Sequence, residues 1–147
     1  MASKNHASAV VLDGSVAVAW CFSDEADPYA DRIAGAFPSL QAVVPAVWHW
    51  EVVNALLMGE RRKRSLPADT AHWLAYLRSL PVIVDEESAG HSWTEVVALA
   101  RAHNLSSYDA AYLELALRRH LPLATLDLRP RCACFLPSLH FYATICT

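Results

Sequence analysis

Glycine is scarce in this chain, with four residues in 147, and its scarcity removes a group of functions. No G-x-x-x-x-G-K-[ST] loop, dinucleotide fingerprint or G-x-S-x-G elbow is present, so nucleotide-cofactor folds and the commonest serine hydrolases have little support. Long apolar runs are missing too. The stretch from Ala9 to Phe22 is interrupted by Asp13 and Gly14 and is too short to cross a bilayer. Its internal acid and the lack of a cleavage box also argue against a secretory leader, so a cytoplasmic protein with no membrane association is expected. Cysteine offers little: Cys21, Cys132, Cys134 and Cys146 are the full set. Cys132 and Cys134, even with His140 and Cys146 nearby, lack the spacing of a structural zinc site, and free thiols are the simpler reading. The histidines occur singly and form no H-E-x-x-H pair.

Charged residues are also sparse, at 18%, against 54% apolar residues. That balance suits one domain spanning residues 1–147 with a sizeable core. The apolar surplus calls for an oligomeric or partner-covered face. The net charge of −3 does not by itself suggest nucleic acid. Arg61, Arg62, Lys63 and Arg64 nevertheless form a basic block, and Arg118, Arg119, Arg129 and Arg131 follow late in the chain. If these converge they can pair with phosphates; a solvated helix end is the alternative.

Strand and helix patterns alternate along the chain. Short apolar runs at Ala9–Leu12, Gln41–Val44, Val82–Val84 and Leu123–Leu126 read as buried strands. Helical patterns cover Gly14–Phe22, Pro28–Phe37, Pro45–Lys63, Pro67–Arg78, Ser88–Ala102 and Tyr108–His120. This order predicts an α/β protein, a mostly parallel sheet covered on both faces by helices. After Asp127 the pattern fades: two prolines, Pro130 and Pro137, oppose a regular helix, and Leu139–Ile145 is the one candidate for a last strand.

Four acids stand out. Two of the strands run directly into aspartates, Asp13 and Asp127, and in a parallel sheet the C-terminal strand ends share the edge where ligands bind. Glu51 lies among apolar neighbours Trp48, Val52 and Leu56, where a carboxylate costs several kcal/mol unless compensated; the competing reading is an exposed glutamate early in a helix. Asp109 follows Ser106 by three residues, which also fits a capping box with no further role. Together these acids suit a hard divalent ion such as Mg²⁺, whose natural work is phosphodiester hydrolysis. Ser15 and Thr125 flank the cluster as candidate hydroxyl supports.

Val11-Leu12-Asp13-Gly14-Ser15, the run from Pro45 to Leu56 containing Glu51, the run from Leu105 to Ala116 containing Asp109, and Leu123-Ala124-Thr125-Leu126-Asp127 resemble, in that order and spacing, the PIN-domain family, particularly its VapC-like toxin ribonucleases. The resemblance covers about residues 9 to 129. It implies a PIN-like three-layer α/β/α sandwich, with Asp13, Glu51 and Asp109 as core metal ligands and Asp127 as a fourth acid, direct or through water. Ser15 and Thr125 match the supporting hydroxyl positions. It further implies Mg²⁺- or Mn²⁺-dependent endonucleolytic cleavage of RNA, a homodimer, and inhibition by a cognate antitoxin protein. The alternative is a catalytically inactive PIN-like binding or scaffold protein; a phosphatase or DNA nuclease would use the same acids. The segment after Asp127 departs from the family pattern.

Overall fold

The computed structural model describes residues 8–127. Four strands, β1 (Ser8–Leu12), β2 (Leu40–Pro45), β3 (Val82–Asp85) and β4 (Leu123–Ala124), form one sheet in the order β3-β2-β1-β4, with every pairing parallel. Six helices surround it: α1 (Gly14–Cys21), α2 (Pro28–Ala36), α3 (Val47–Arg61), α4 (Pro67–Ser79), α5 (Glu95–His103) and α6 (Ser107–Arg119). The three-layer α/β/α sandwich expected from the alternating pattern is therefore the fold. The central strands show why: Val10, Val11 and Leu12 in β1 and Ala42, Val43 and Val44 in β2 are all buried in succession, which requires cover on both faces. The edge strand β3 instead leaves Ile83 and Val84 exposed. No helix among the described residues is long and apolar enough to cross a membrane.

The core joins α1 to α2 and α3, and lays α6 across β1 and β2. A second, smaller apolar cluster of Val96, Leu105, Ala110 and Leu113 locks α5 to α6. Trp20 of α1 pins three helices at once, donating its Nε1–H to the Ala30 carbonyl at 2.7 Å and meeting Phe37 and Tyr76 edge-on. Helix ends that glycine often occupies go to other residues: Asn104 closes α5 and His120 closes α6, both in the left-handed region. One glycine is required by close approach. A Cβ on Gly59 would stand 2.5 and 2.7 Å from the Phe22 ring, on which the Arg64 guanidinium also packs at 4.2 Å. Gly59→Ala should therefore cost about 1–3 kcal/mol of stability by overpacking, measurable as a lowered urea midpoint.

Three elements differ from the sequence expectation. Pro45 ends β2 opposite Asp85 instead of opening α3; a proline is tolerated at a strand end because its missing N–H costs no ladder bond there. The helix expected over Ser88–Ala102 is divided into a 3-10 turn at Ser88–His91 and α5 from Glu95. The Ser88 hydroxyl is turned back onto Asp85 at 2.7 Å, and Thr94, at φ −120° and ψ −79°, interrupts the helical path. The last strand pairs only at Leu123 and Ala124, because the groups that follow bond elsewhere. The possible strand at Leu139–Ile145, and Cys132, Cys134, His140 and Cys146, lie outside the described residues.

Candidate functional site

The β1 chain passes directly into Asp13, whose N–H bonds the Ala124 carbonyl of β4 at 2.9 Å. The Asp13 side chain is buried, and its Oδ2 accepts hydroxyl hydrogen bonds from Ser15, at 2.7 Å, and from Thr125. Both hydroxyls are used twice. Ser15 Oγ accepts the Leu126 N–H at 3.1 Å, and Thr125 Oγ1 accepts the Asp127 N–H at 3.1 Å. The backbone of residues 125–127 is thus stitched to the β1–α1 turn, which explains why β4 stops pairing so early. Ser15 and Thr125 stand where the sequence reading put them, beside Asp13.

Glu51 is half-buried in the second turn of α3 and accepts a short hydrogen bond from the hydroxyl of Tyr112 on α6. Tyr112 is almost fully buried at 1% exposure, so its phenol needs an internal partner. It was not singled out from sequence, since an aromatic among the apolar residues of α6 reads as core. The available signal was its spacing: Tyr112 follows Asp109 by three residues and shares its helix face. Asp109 is the third residue of α6, and its N–H is held by the capping hydroxyl of Ser106 at 3.1 Å. The cap is therefore real, and it coexists with the acid's place near the others.

Electrostatics ties three of the four acids together. Burial pushes the Asp13 carboxyl above its usual range, against the Thr125 and Ser15 hydrogen bonds, and the charge of Asp109 adds to the rise. Glu51 is raised chiefly by burial, against the Tyr112 hydrogen bond, and further by the charges of Asp13 and Asp109. Tyr112 is driven upward by burial and by its bond to Glu51, so it remains a neutral donor. Asp127 joins the same edge through its backbone bond to Thr125.

Three of the basic residues are engaged by carboxylates outside this set of acids. Arg64 is held by Asp24 at 2.7 Å and Glu25 at 2.8 Å. Arg118 is held by Asp85 at 2.6 Å and Glu114 at 2.7 Å, and Arg119 reaches Asp85 at 3.4 Å. Of the two readings open for the basic residues, convergence on a phosphate site is not met by these three, because carboxylates brought near by the fold claim their charge. Arg129 and Arg131 lie outside the described residues.

In donor chemistry the acid cluster fits a hard divalent cation: its donors are oxygens, anionic, and repel one another. Among the described residues no three acids, histidines or cysteines stand in ready-made ligand positions.

A family model described as PIN domain matches residues 10–135. No curated protein matches the chain. Among solved structures, PAE2754 from Pyrobaculum aerophilum is similar at 23% identity and a TM-score of 0.61, over 86% of this chain and 84% of that one. VapC20 of Mycobacterium tuberculosis, described as a sarcin-ricin loop cleaving toxin, matches at 16% identity and a TM-score of 0.61, over 86% and 96% of the two chains. A toxin-antitoxin complex from Klebsiella pneumoniae matches at 19% identity and a TM-score of 0.56, over 89% and 94%. These likenesses extend the agreement in fold over most of each chain.

Proposed function

This chain belongs to the PIN domain family, and from that premise we propose that it is a metal-dependent endoribonuclease that hydrolyses RNA phosphodiester bonds as the toxin of a toxin–antitoxin pair. The observation that supports this most is the gathering of Asp13, Glu51 and Asp109 from the end of β1, α3 and α6, where burial chiefly lifts the Asp13 and Glu51 carboxyls and the neighbouring acid charges add to it. Asp13, Glu51 and Asp109 would hold Mg²⁺ or Mn²⁺, with Asp127 a fourth acid, direct or through water. When bound, such an ion supplies Lewis acidity toward the scissile phosphate and makes water a stronger nucleophile.

The remaining work falls to the protein's own groups. Ser15 and Thr125 fix the Asp13 carboxylate by two donated hydrogen bonds, and Tyr112 fixes one oxygen of Glu51. Partners that orient a ligand carboxylate typically contribute about 10- to 100-fold in metal affinity or activity. Tyr112→Phe keeps the buried ring and removes the donor, so it should raise the Mg²⁺ concentration needed for half-maximal cleavage by a factor in that range, with an unchanged circular dichroism spectrum.

The toxin reading also entails a protein inhibitor and a second copy of the chain in a homodimer. The exposed apolar side chains Leu66, Ile83, Val84 and Trp93 are the kind of surface such partners cover. The deciding experiment incubates purified protein, freed of any antitoxin, with total cellular RNA in Mg²⁺, in Mn²⁺ and in EDTA. Discrete fragments that require metal are expected. Stoichiometric metal binding with intact RNA would instead favour an inactive binding protein, and cleavage of DNA alone would reassign the substrate.

A further inference from the structure

Of the three exposed aromatic side chains among the described residues, Trp50, Trp93 and Tyr108, two stand beside the acid cluster. Trp50 is 75% exposed and Tyr108 is 55% exposed. Each is the residue immediately before one of the coupled acids, Trp50 before Glu51 and Tyr108 before Asp109. They come from different helices, yet the Glu51 carboxylate accepts a hydrogen bond from the hydroxyl of Tyr112, one turn along α6 from Asp109, so Trp50 and Tyr108 both border one cluster. Helix geometry directs them further. Side chains on a helix lean toward its N-terminus, and both residues lie in first turns, α3 opening directly after β2 and α6 opening at its Ser106 cap. For Trp50 that lean is toward the end of β2, the strand paired with β1.

We propose that Trp50 and Tyr108 are base-stacking platforms that grip unpaired nucleotides on the two sides of the scissile phosphate, making them positioning and specificity residues for single-stranded RNA. This rests on the nuclease reading of the acid cluster. Among the described residues, Arg64, Arg118 and Arg119 are held by carboxylates and so have little to offer a phosphate approaching this acidic edge. Uncharged contacts are a further source of binding. Bases offer an uncharged π-face, stacking on aromatic rings tolerates any sequence, and RNA lacking base pairs presents those faces freely. A duplex keeps its bases stacked on one another and cannot use the platforms. The N-terminal dipoles of α3 and α6 also favour a phosphate held between them.

The test compares a fluorescein-labelled oligoadenylate of about ten nucleotides with an abasic strand of equal length. Binding is read by fluorescence anisotropy with Ca²⁺ in place of Mg²⁺, using the full chain, Trp50→Ala, Trp50→Phe and Tyr108→Ala. The wild-type protein should prefer the strand with bases by about 5- to 150-fold for each stacked ring. Trp50→Ala and Tyr108→Ala should each remove one such factor, Trp50→Phe should retain most of it, and none should change affinity for the abasic strand. On a cleavable RNA the alanine variants should raise KM with little change in kcat.

Equal losses on both strands, or no loss on either, would overturn the proposal. So would a Trp50→Ala protein that binds RNA normally but sediments as a smaller species, which would assign the ring to a protein interface. Cleavage by the wild type with variants of unaltered KM would sink the stacking and leave the nuclease. Base-dependent binding without any cleavage would do the reverse.

Discussion

Asp13→Asn should reduce RNA cleavage by on the order of 10³-fold or more while leaving the fold intact, a loss comparable to removing a principal electrostatic group from an active site. The fold survives because the asparagine amide oxygen can still accept the hydrogen bonds that Ser15 and Thr125 give to Oδ2. What disappears is a negative donor at the point where β1, α1 and the end of β4 meet. Stability supplies an independent check. Burial raises the Asp13 carboxyl above its unfolded value, so its contribution is fully present below the unfolded pKa and is lost as pH rises through the folded one. At neutral pH, in chelator, the ionised side chain is a cost that asparagine removes. Asp13→Asn should therefore melt at the same temperature as the wild type or higher in EDTA, and should lose the stabilisation that Mg²⁺ or Mn²⁺ gives the wild type. Retained metal-dependent cleavage, or a collapsed circular dichroism spectrum, would remove Asp13 from the role assigned to it.

The largest effect on stability is expected from Arg118→Ala. Arg118 joins the end of β3 to α6 by bonding Asp85 and Glu114, which are 5% and 4% exposed, with Glu87 at the rim. Removing the cation leaves two buried carboxylates facing each other, and breaking a buried pair from one side typically costs about 3–5 kcal/mol. Against a usual total of about 5–15 kcal/mol, that brings the domain near its unfolding threshold. The pH dependence follows from Asp85. Burial alone would raise its carboxyl, but the bonds from Arg118 and Ser88 and the charges of Arg118 and Arg119 hold it below the ordinary aspartate value. Its contribution is present above the unfolded pKa of about 4 and is lost as pH falls through the folded value. Urea midpoints should show the wild type losing this increment on acidification and Arg118→Ala lacking it throughout. A loss under 1 kcal/mol at neutral pH would show that water reaches the pair and that the network is not a buried one.

Much of the fold was legible because two periodicities alternate clearly, and Asp13 was legible because the four-residue apolar run Ala9–Leu12 stops at it. Glu51 stood out for a related reason, a carboxylate set among residues that pack. What sequence concealed was partnership across long separations. Tyr112 is core by composition and a hydrogen-bond donor only because α3 passes in front of it. Arg64, Arg118 and Arg119 are basic by composition, yet carboxylates on Asp24, Glu25, Asp85 and Glu114 take up their charge. The end of β4 was misread for the same reason: Thr125 and Leu126 have strand-like side chains, but their bonding groups serve Asp13 and Ser15. Pro45 shows a smaller failure, where one residue type fits both a strand end and a helix start.

The hydroxyl stitch at residues 125–127 also bears on how the molecule comes into being. Thr125 reaches Asp13 across 112 positions of chain, and Asp109 belongs to the penultimate described element. During synthesis from the N-terminus, β1, α1, β2 and α3 can gather while the acid edge still lacks Asp109 and the group that orients Asp13. Contacts of such long range form late in any case, since loop closure must precede them. Until α6 and β4 have docked, a growing chain therefore lacks both Asp109 and the Thr125 hydroxyl at this edge.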